Sequence, residues 1–186
     1  NVGIWVWVRW SDVNNPANDW ENMRRFFSSL SKTGIRGIKI DFMDSASQER
    51  LDFYDAVAEN LAKNKLMVNF HGANTPTGEE RSWPHEMSRE GIYGGEQNIW
   101  AAIGGQHYCA LPFTRLVSGH ADFTGGYFGH GPKLRGSSWT LQMAANIIYT
   151  SPILHWVSNP ADMEAAFPKD SPEREVVRNI PSVWEE

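Results

Sequence analysis

The chain has 186 residues, 41% apolar and 21% charged, with a formal net charge of -5. That composition excludes a disordered, collagenous or membrane-spanning chain. The acidic balance speaks against a nucleic-acid partner, and no apolar run is long enough for a membrane span. A single cysteine, Cys109, excludes an internal disulfide and a cysteine-based zinc site. Trp occurs nine times and aromatic residues make up 12%. Those rings serve either a core or sugar-binding platforms, since an aromatic face matches the C–H face of a pyranose.

Strands and helices alternate along the chain. Residues 4–9 read as a strand that starts directly from Asn1, without an initiator Met or a leader. The end, Pro181 to Glu186, also breaks off in strand-like sequence. Both ends give the expectation of a piece of a longer polypeptide. Trp20, Met23, Phe26, Phe27 and Leu30 space a helix over 19–32, with Asn18 and Glu21 as its capping pair. Residues 35–42 form a second strand. Leu51, Tyr54, Val57, Ala58 and Leu61 space a helix over 47–63, capped through Ser45 and Gln48.

Leu66 to Phe70 is a third strand, and Gly91 to Glu96 reads as a fourth. The segment 79–90 has only a weak helical signal, broken by Pro84. After a long Gly-rich stretch with a short strand at 121–124, a helix spans 141–149. A sixth strand covers 153–157, and short helices near 161–166 and 172–179 close the chain. The alternation predicts a parallel sheet, either doubly wound or closed as a (β/α)8 TIM barrel. A dinucleotide fold needs Gly-x-Gly-x-x-Gly after its first strand. Here Arg9-Trp10-Ser11-Asp12 stands in that place. Six strands are fewer than a barrel of about 250 residues needs. The expectation is an incomplete (β/α)8 barrel over residues 1–180.

Polar residues gather at the carboxyl ends of these strands, where barrels place their chemistry. In Ile35 to Phe42 the alternation puts Ile38, Ile40 and Phe42 on one face and Lys39 and Asp41 on the other. A buried Lys and Asp are costly unless paired structurally or used in a site. His71 follows the third strand and is followed by Gly72. Glu96 ends the expected fourth strand, and is otherwise a solvated loop carboxylate. Two strand steps at ~4.8 Å each put the Asp41 and Glu96 backbones roughly 10 Å apart, and inward side chains close that to about 5 Å, the spacing of a retaining glycosidase pair. An inverting gap is only slightly wider. Glu90 and Glu96 together have the oxygen donors for a shared Ca²⁺. His85-Glu86 lacks the second histidine of a zincin, because Arg89 stands there.

Four blocks carry a resemblance. Gly37-Ile38-Lys39-Ile40-Asp41-Phe42-Met43-Asp44, Asn69-Phe70-His71-Gly72-Ala73 with Pro76-Thr77-Gly78, Arg89-Glu90-Gly91 with Glu96, and Leu111-Pro112-Phe113-Thr114-Arg115 resemble glycoside hydrolase family 97. The resemblance implies a multidomain bacterial exo-acting α-glycosidase, periplasmic or secreted. Its barrel is present from about the third strand to the eighth, and residues 181–186 begin a C-terminal β domain. An N-terminal β-sandwich and the rest of the C-terminal domain are implied to lie outside this sequence.

In the inverting α-glucosidase branch a glutamate follows the strand-end histidine, where this chain has Gly72. In the retaining branch a strand-end aspartate is the nucleophile, and Asp41 matches it. The resemblance implies Glu96 as acid/base, Glu90 and Glu96 as Ca²⁺ ligands, and an oligosaccharide or α-galactoside as substrate. Lys39 and His71 are expected to bind it. Lys39 is also expected to help keep Asp41 ionised. Trp5 and Trp7 share a strand face and are either a subsite wall or core. The alternatives are an inverting α-glucosidase, a sugar-binding module without catalysis, and a metal-dependent barrel enzyme using His71, Glu90 and Glu96.

Overall fold

A computed structural model describes residues 2–126, 128 and 134–181. It divides into two compact units, Asn1–Gly91 and Ile92–Glu186. Among the described residues no helix is long and apolar enough to cross a membrane. The expected start of a C-terminal β domain, residues 181–186, lies all but for Pro181 outside the described residues.

The first unit is a mixed α/β structure built on a four-stranded parallel sheet. Strands β1 (Trp5–Arg9), β2 (Gly37–Asp41), β3 (Met67–Phe70) and β4 (Glu86–Arg89) lie side by side in chain order. Between them run α1 (Trp10–Val13), α2 (Ala17–Ser31), α3 (Gln48–Lys63) and α4 (Glu79–Ser82). In register, Trp7 stands beside Lys39, Lys39 beside Asn69, and Asn69 beside Ser88. Side chains alternate across each strand, so one sheet face is apolar and the other polar. Ile38, Ile40, Val68 and Phe70 are fully buried. They form one core with Phe27 of α2 and Phe53, Val57 and Leu61 of α3.

The alternation holds for Ile38 and Ile40 but not for Phe42, which is half exposed. The strand ends at Asp41, and Phe42 adopts φ +62°. A residue in that left-handed region no longer follows the pleat. The capping pair expected of Asn18 and Glu21 does not form. Asn18, Asp19 and Trp20 all have positive φ inside α2, and Pro16 precedes the helix as its N-cap. Glu21 instead accepts from Arg25 one turn on, at 2.5 Å. Helix α3 starts where expected, but Ser47 and not Ser45 is its N-cap, and Gln48 donates to Asp52, so the Ser45–Gln48 capping pair does not form.

The fourth strand is a correction. It lies at Glu86–Arg89, not at 91–96, where Gly95–Ile99 forms a 3₁₀ helix. Arg89 and Glu86 are both buried and hydrogen-bond each other, so a strand of charged residues satisfies its charges internally. Gly94 and Gly95 lie against backbone: an added Cβ would meet the Phe123 carbonyl oxygen at 2.5 Å and the Thr124 carbonyl oxygen at 2.8 Å.

The second unit has a smaller core of Ile103, Tyr108, Leu111, Phe123, Ala145 and Tyr149. The helix Trp139–Ile148 matches the expected one and is capped by Ser138, whose hydroxyl accepts from Leu141 N. Helices Pro160–Ala166 and Pro172–Asn179 also match, capped by Asn159 and Ser171 with proline at their first turns. The strands expected at 121–124 and 153–157 reduce to one parallel bridge between Gly125 and Trp156. Gly126 follows one segment and Pro152 precedes the other, which leaves little room for a longer ladder.

Candidate active site

Parallel pairing places the ends of successive strands at one edge of the first unit. Asp41 is the last residue of β2, while His71 and Glu90 directly follow β3 and β4. Two backbone bonds continue the ladder past the strand ends. His71 N donates to Ile40 O at 2.8 Å, and Glu90 N donates to Phe70 O at 2.9 Å. The sheet itself therefore brings the three side chains together.

His71 is buried, and its Nδ1 lies 3.4 Å from Asp41 Oδ1 and 3.5 Å from Glu90 Oε2. Glu90 Oε2 also accepts from the Gly72 N–H at 2.5 Å. Asp41 Oδ1 accepts from the Phe42 N–H at 2.6 Å, and Asp41 Oδ2 accepts from Trp7 Nε1 at 2.9 Å. Burial alone pushes the Asp41 carboxyl up. The bonds and charge of His71, with those of Trp7 and Phe42, outweigh it and hold the pKa at about 2. Asp41 is thus an ionised carboxylate with both oxygens oriented, its side chain 15% exposed.

Lys39 lies one row back on the same face, between Trp7 and Asn69 in register, and is half-buried. The groups that hold the Asp41 pKa down are His71, Trp7 and the Phe42 N–H. His71 turns its Nδ1 between two carboxylates. Glu96 stands in the first turn of the 3₁₀ helix of the second unit, half-buried. Trp5 and Trp7 separate. Gly37 packs directly on the Trp5 ring, where an added Cβ would stand 2.6 Å from it, whereas Trp7 is half exposed beside Asp41.

Gly72 has φ +55°, and a Cβ there would stand 2.9 Å from Asp44 Oδ1 and 3.2 Å from Met43 N. Its carbonyl accepts from Asp44 N at 2.6 Å. The backbone needs glycine at this point. The segment after it is held by Arg89. The guanidinium grips Glu86 with two bonds of 2.7 and 3.0 Å and reaches Asn74 Oδ1 at 3.1 Å and Glu79 Oε1 at 3.2 Å. It also lies 4.3 Å from the ring centroid of Tyr54, whose hydroxyl is pushed up to about 12 by burial.

The tethering of Asp41 by Trp7 and Phe42 was not anticipated from the sequence. The placement of Trp7 two residues before the end of β1 was the available signal.

An oriented, ionised carboxylate at the end of a parallel strand, with a histidine and a second carboxylate behind it, suits displacement at a sugar carbon. Residues 1–92 match the family model described as Glycoside hydrolase 97. A probable retaining alpha-galactosidase of Streptomyces bingchenggensis is 35% identical over 184 residues, covering 99% of this chain and 27% of that protein. A retaining alpha-galactosidase of Bacteroides thetaiotaomicron is 29% identical over 199 residues, covering 100% of this chain and 28% of that protein. In structure, a family 97 enzyme of Pseudoalteromonas sp. in complex with acarbose superposes with a TM-score of 0.81 at 21% identity, over 98% of this chain and 31% of its own. In sequence the chain is thus similar to glycoside hydrolases. The chain belongs to glycoside hydrolase family 97. It spans a little over a quarter of the length of the curated relatives it matches.

Proposed function

We propose that the complete protein is a retaining, exo-acting α-galactosidase. The Asp41 carboxylate attacks the anomeric carbon, and the bond to the leaving oxygen breaks as that oxygen takes a proton from Glu96. A β-linked glycosyl ester on Asp41 results. Glu96, now a carboxylate, removes a proton from water, and the water oxygen displaces Asp41 to give the α-sugar. Lys39 and His71 belong to the polar face that meets the sugar, with His71 acting mainly to orient Asp41.

One observation carries this reading: Asp41 is held ionised, with a pKa of about 2 and both oxygens engaged. A nucleophile must be charged throughout the working range. The names of the two curated relatives support the substrate and the stereochemistry. Gly72 speaks against the inverting branch, because a side chain would be strained at its left-handed backbone where that branch carries its glutamate. The acarbose-bound relative supports an oligosaccharide or similar glycoside as ligand.

We place the sheet in a (β/α)8 barrel whose remaining strands and flanking domains lie elsewhere in the complete protein, and the protein in the periplasm or outside the cell. Glu90 and Glu96 are assigned to a Ca²⁺. Carboxylate oxygens are the donors this ion takes, and Glu90 is already steadied by the Gly72 N–H. Bound there, the ion would supply positive charge to the site.

The test is Asp41→Ala in the complete protein, assayed on p-nitrophenyl α-D-galactopyranoside. Loss of turnover, with azide restoring it and giving β-galactosyl azide, supports the assignment. Near-normal activity refutes it. Proton NMR of the first sugar released separates the branches: the α-anomer supports Asp41 as nucleophile, and the β-anomer the inverting rival.

A further inference from the structure

We propose that Trp7 is the positioning residue of the nucleophile and, through the same ring, the aromatic platform of the sugar subsite. The inference rests on Asp41 being that nucleophile. Trp7 stands beside Lys39 in register, one row back from the Arg9–Asp41 row. Its indole leans forward along the sheet, and Nε1 meets Asp41 Oδ2 at 2.9 Å. The other oxygen is held by the Phe42 N–H and faces His71. An indole N–H only donates, and it cannot take a proton from the carboxylate. It therefore fixes an orientation and leaves the charge in place.

Trp7 remains 49% exposed, although Trp5 on the same strand face is packed under Gly37. Phe42, also half exposed, stands edge-on to Trp7 at 5.8 Å and 89°. Arg9 lies 5.9 Å from the centroid of the Phe42 ring. A bulky residue at positive φ is an uncommon, strained conformation. Here it does two things. It turns the Phe42 N–H onto Asp41, and it leaves the Phe42 ring beside Trp7. Two exposed aromatic rings beside an oriented carboxylate suit a pyranose whose C–H face rests on the ring. The charged groups around Asp41 within this unit are His71 beside it, Arg9 across in register, Lys39 one row back and Glu90 behind His71.

The two functions separate by substitution. Trp7→Phe keeps a ring and removes the N–H, while Trp7→Leu removes both. In the complete protein, on p-nitrophenyl α-D-galactopyranoside, Trp7→Phe is expected to lower kcat about tenfold or more, the worth of a hydrogen bond to a charged group. KM should change by less than about twofold, since the ring face is kept. Trp7→Leu should lower kcat as much and raise KM several-fold besides. A merely structural role predicts equal losses for both variants and no KM split. In ¹⁵N-labelled protein the Trp7 indole N–H resonance should shift when Asp41 is replaced by Asn.

Trp7→Phe with unchanged kcat, or an indole resonance indifferent to Asp41→Asn, overturns the inference while leaving Asp41 as nucleophile. A wild-type protein inactive on the galactoside, or an active Asp41→Ala, overturns the underlying reading and the inference with it.

Discussion

Arg89→Met is the sharpest test of how the site is supported. The Arg89 side chain is 1% exposed and that of its partner Glu86 is 3% exposed. Two bonds join them, at 2.7 and 3.0 Å, and the guanidinium also reaches Glu79 and Asn74. Methionine conserves much of the volume, so the cost is that of a buried carboxylate left without its cation. Removing one partner of a buried pair costs about 3–5 kcal/mol. At about 2 °C per kcal/mol the melting midpoint should fall by roughly 6 °C or more.

The pH dependence gives a second readout. Burial already pushes the Glu86 carboxyl up, and Arg89 opposes it. Without Arg89 the folded pKa rises further above the unfolded one. Stability from such a group is present at low pH and lost as pH rises through the folded pKa. Arg89→Met should therefore lose less stability at pH 5 than at pH 8. Adding Glu86→Gln should recover most of the loss by removing the stranded charge. Thermal melts of the complete protein across pH, with the double-substitution cycle, measure this. A midpoint within 2 °C of wild type, or a second substitution that adds its own full cost, refutes the reasoning.

Gly72→Glu does not convert the protein to the inverting branch. The left-handed backbone costs about 1–2 kcal/mol for a residue with a Cβ, and that Cβ presses on Asp44 and Met43. The melting midpoint should fall by several degrees, and NMR should find no β-anomer among the first products. Asp41 contributes an acid limb to stability. Its folded pKa of about 2 lies below the ordinary 3.8, so its contribution is present above about pH 4. About 2 kcal/mol is lost as pH falls toward 2, and Asp41→Asn should flatten that part of the acid-denaturation curve. Chelation should lower the melting midpoint, with Ca²⁺ and not Zn²⁺ restoring it, and Glu90→Gln should abolish the response. A saturating ion at about 100-fold its Kd stabilises by about 2.7 kcal/mol.

Much of the first unit was legible because its pattern is apolar. Ile38 and Ile40 alternate with Lys39 and Asp41, and the period alone placed Asp41 at a strand end opposite the helix-packed face. Helix α3 was equally plain from its spacing. Strand β4 was hidden because Glu86 and Arg89 are buried by pairing with each other, which no hydropathy pattern reports. The apolar Ile92-Tyr93 drew the strand assignment forward into a glycine-dictated turn.

At the site, residue types at the expected strand ends brought Asp41 and His71 forward, whereas Glu96, the third such residue, lies in a 3₁₀ helix and Glu90 follows the actual β4. The donors that hold Asp41 were not legible. The Trp7 bond depends on register between β1 and β2, and the Phe42 bond on a backbone angle that sequence does not encode for phenylalanine. An aromatic N–H from the neighbouring strand reaches Asp41, which sequence proximity does not reveal.

The most direct measurement is covalent capture. The complete protein, incubated with a 2-deoxy-2-fluoro-galactosyl fluoride and digested, should yield one peptide heavier by the fluorosugar, with the mass on Asp41. A label on any other carboxylate, or an active enzyme that is never labelled, contradicts the assignment of Asp41 as the nucleophile.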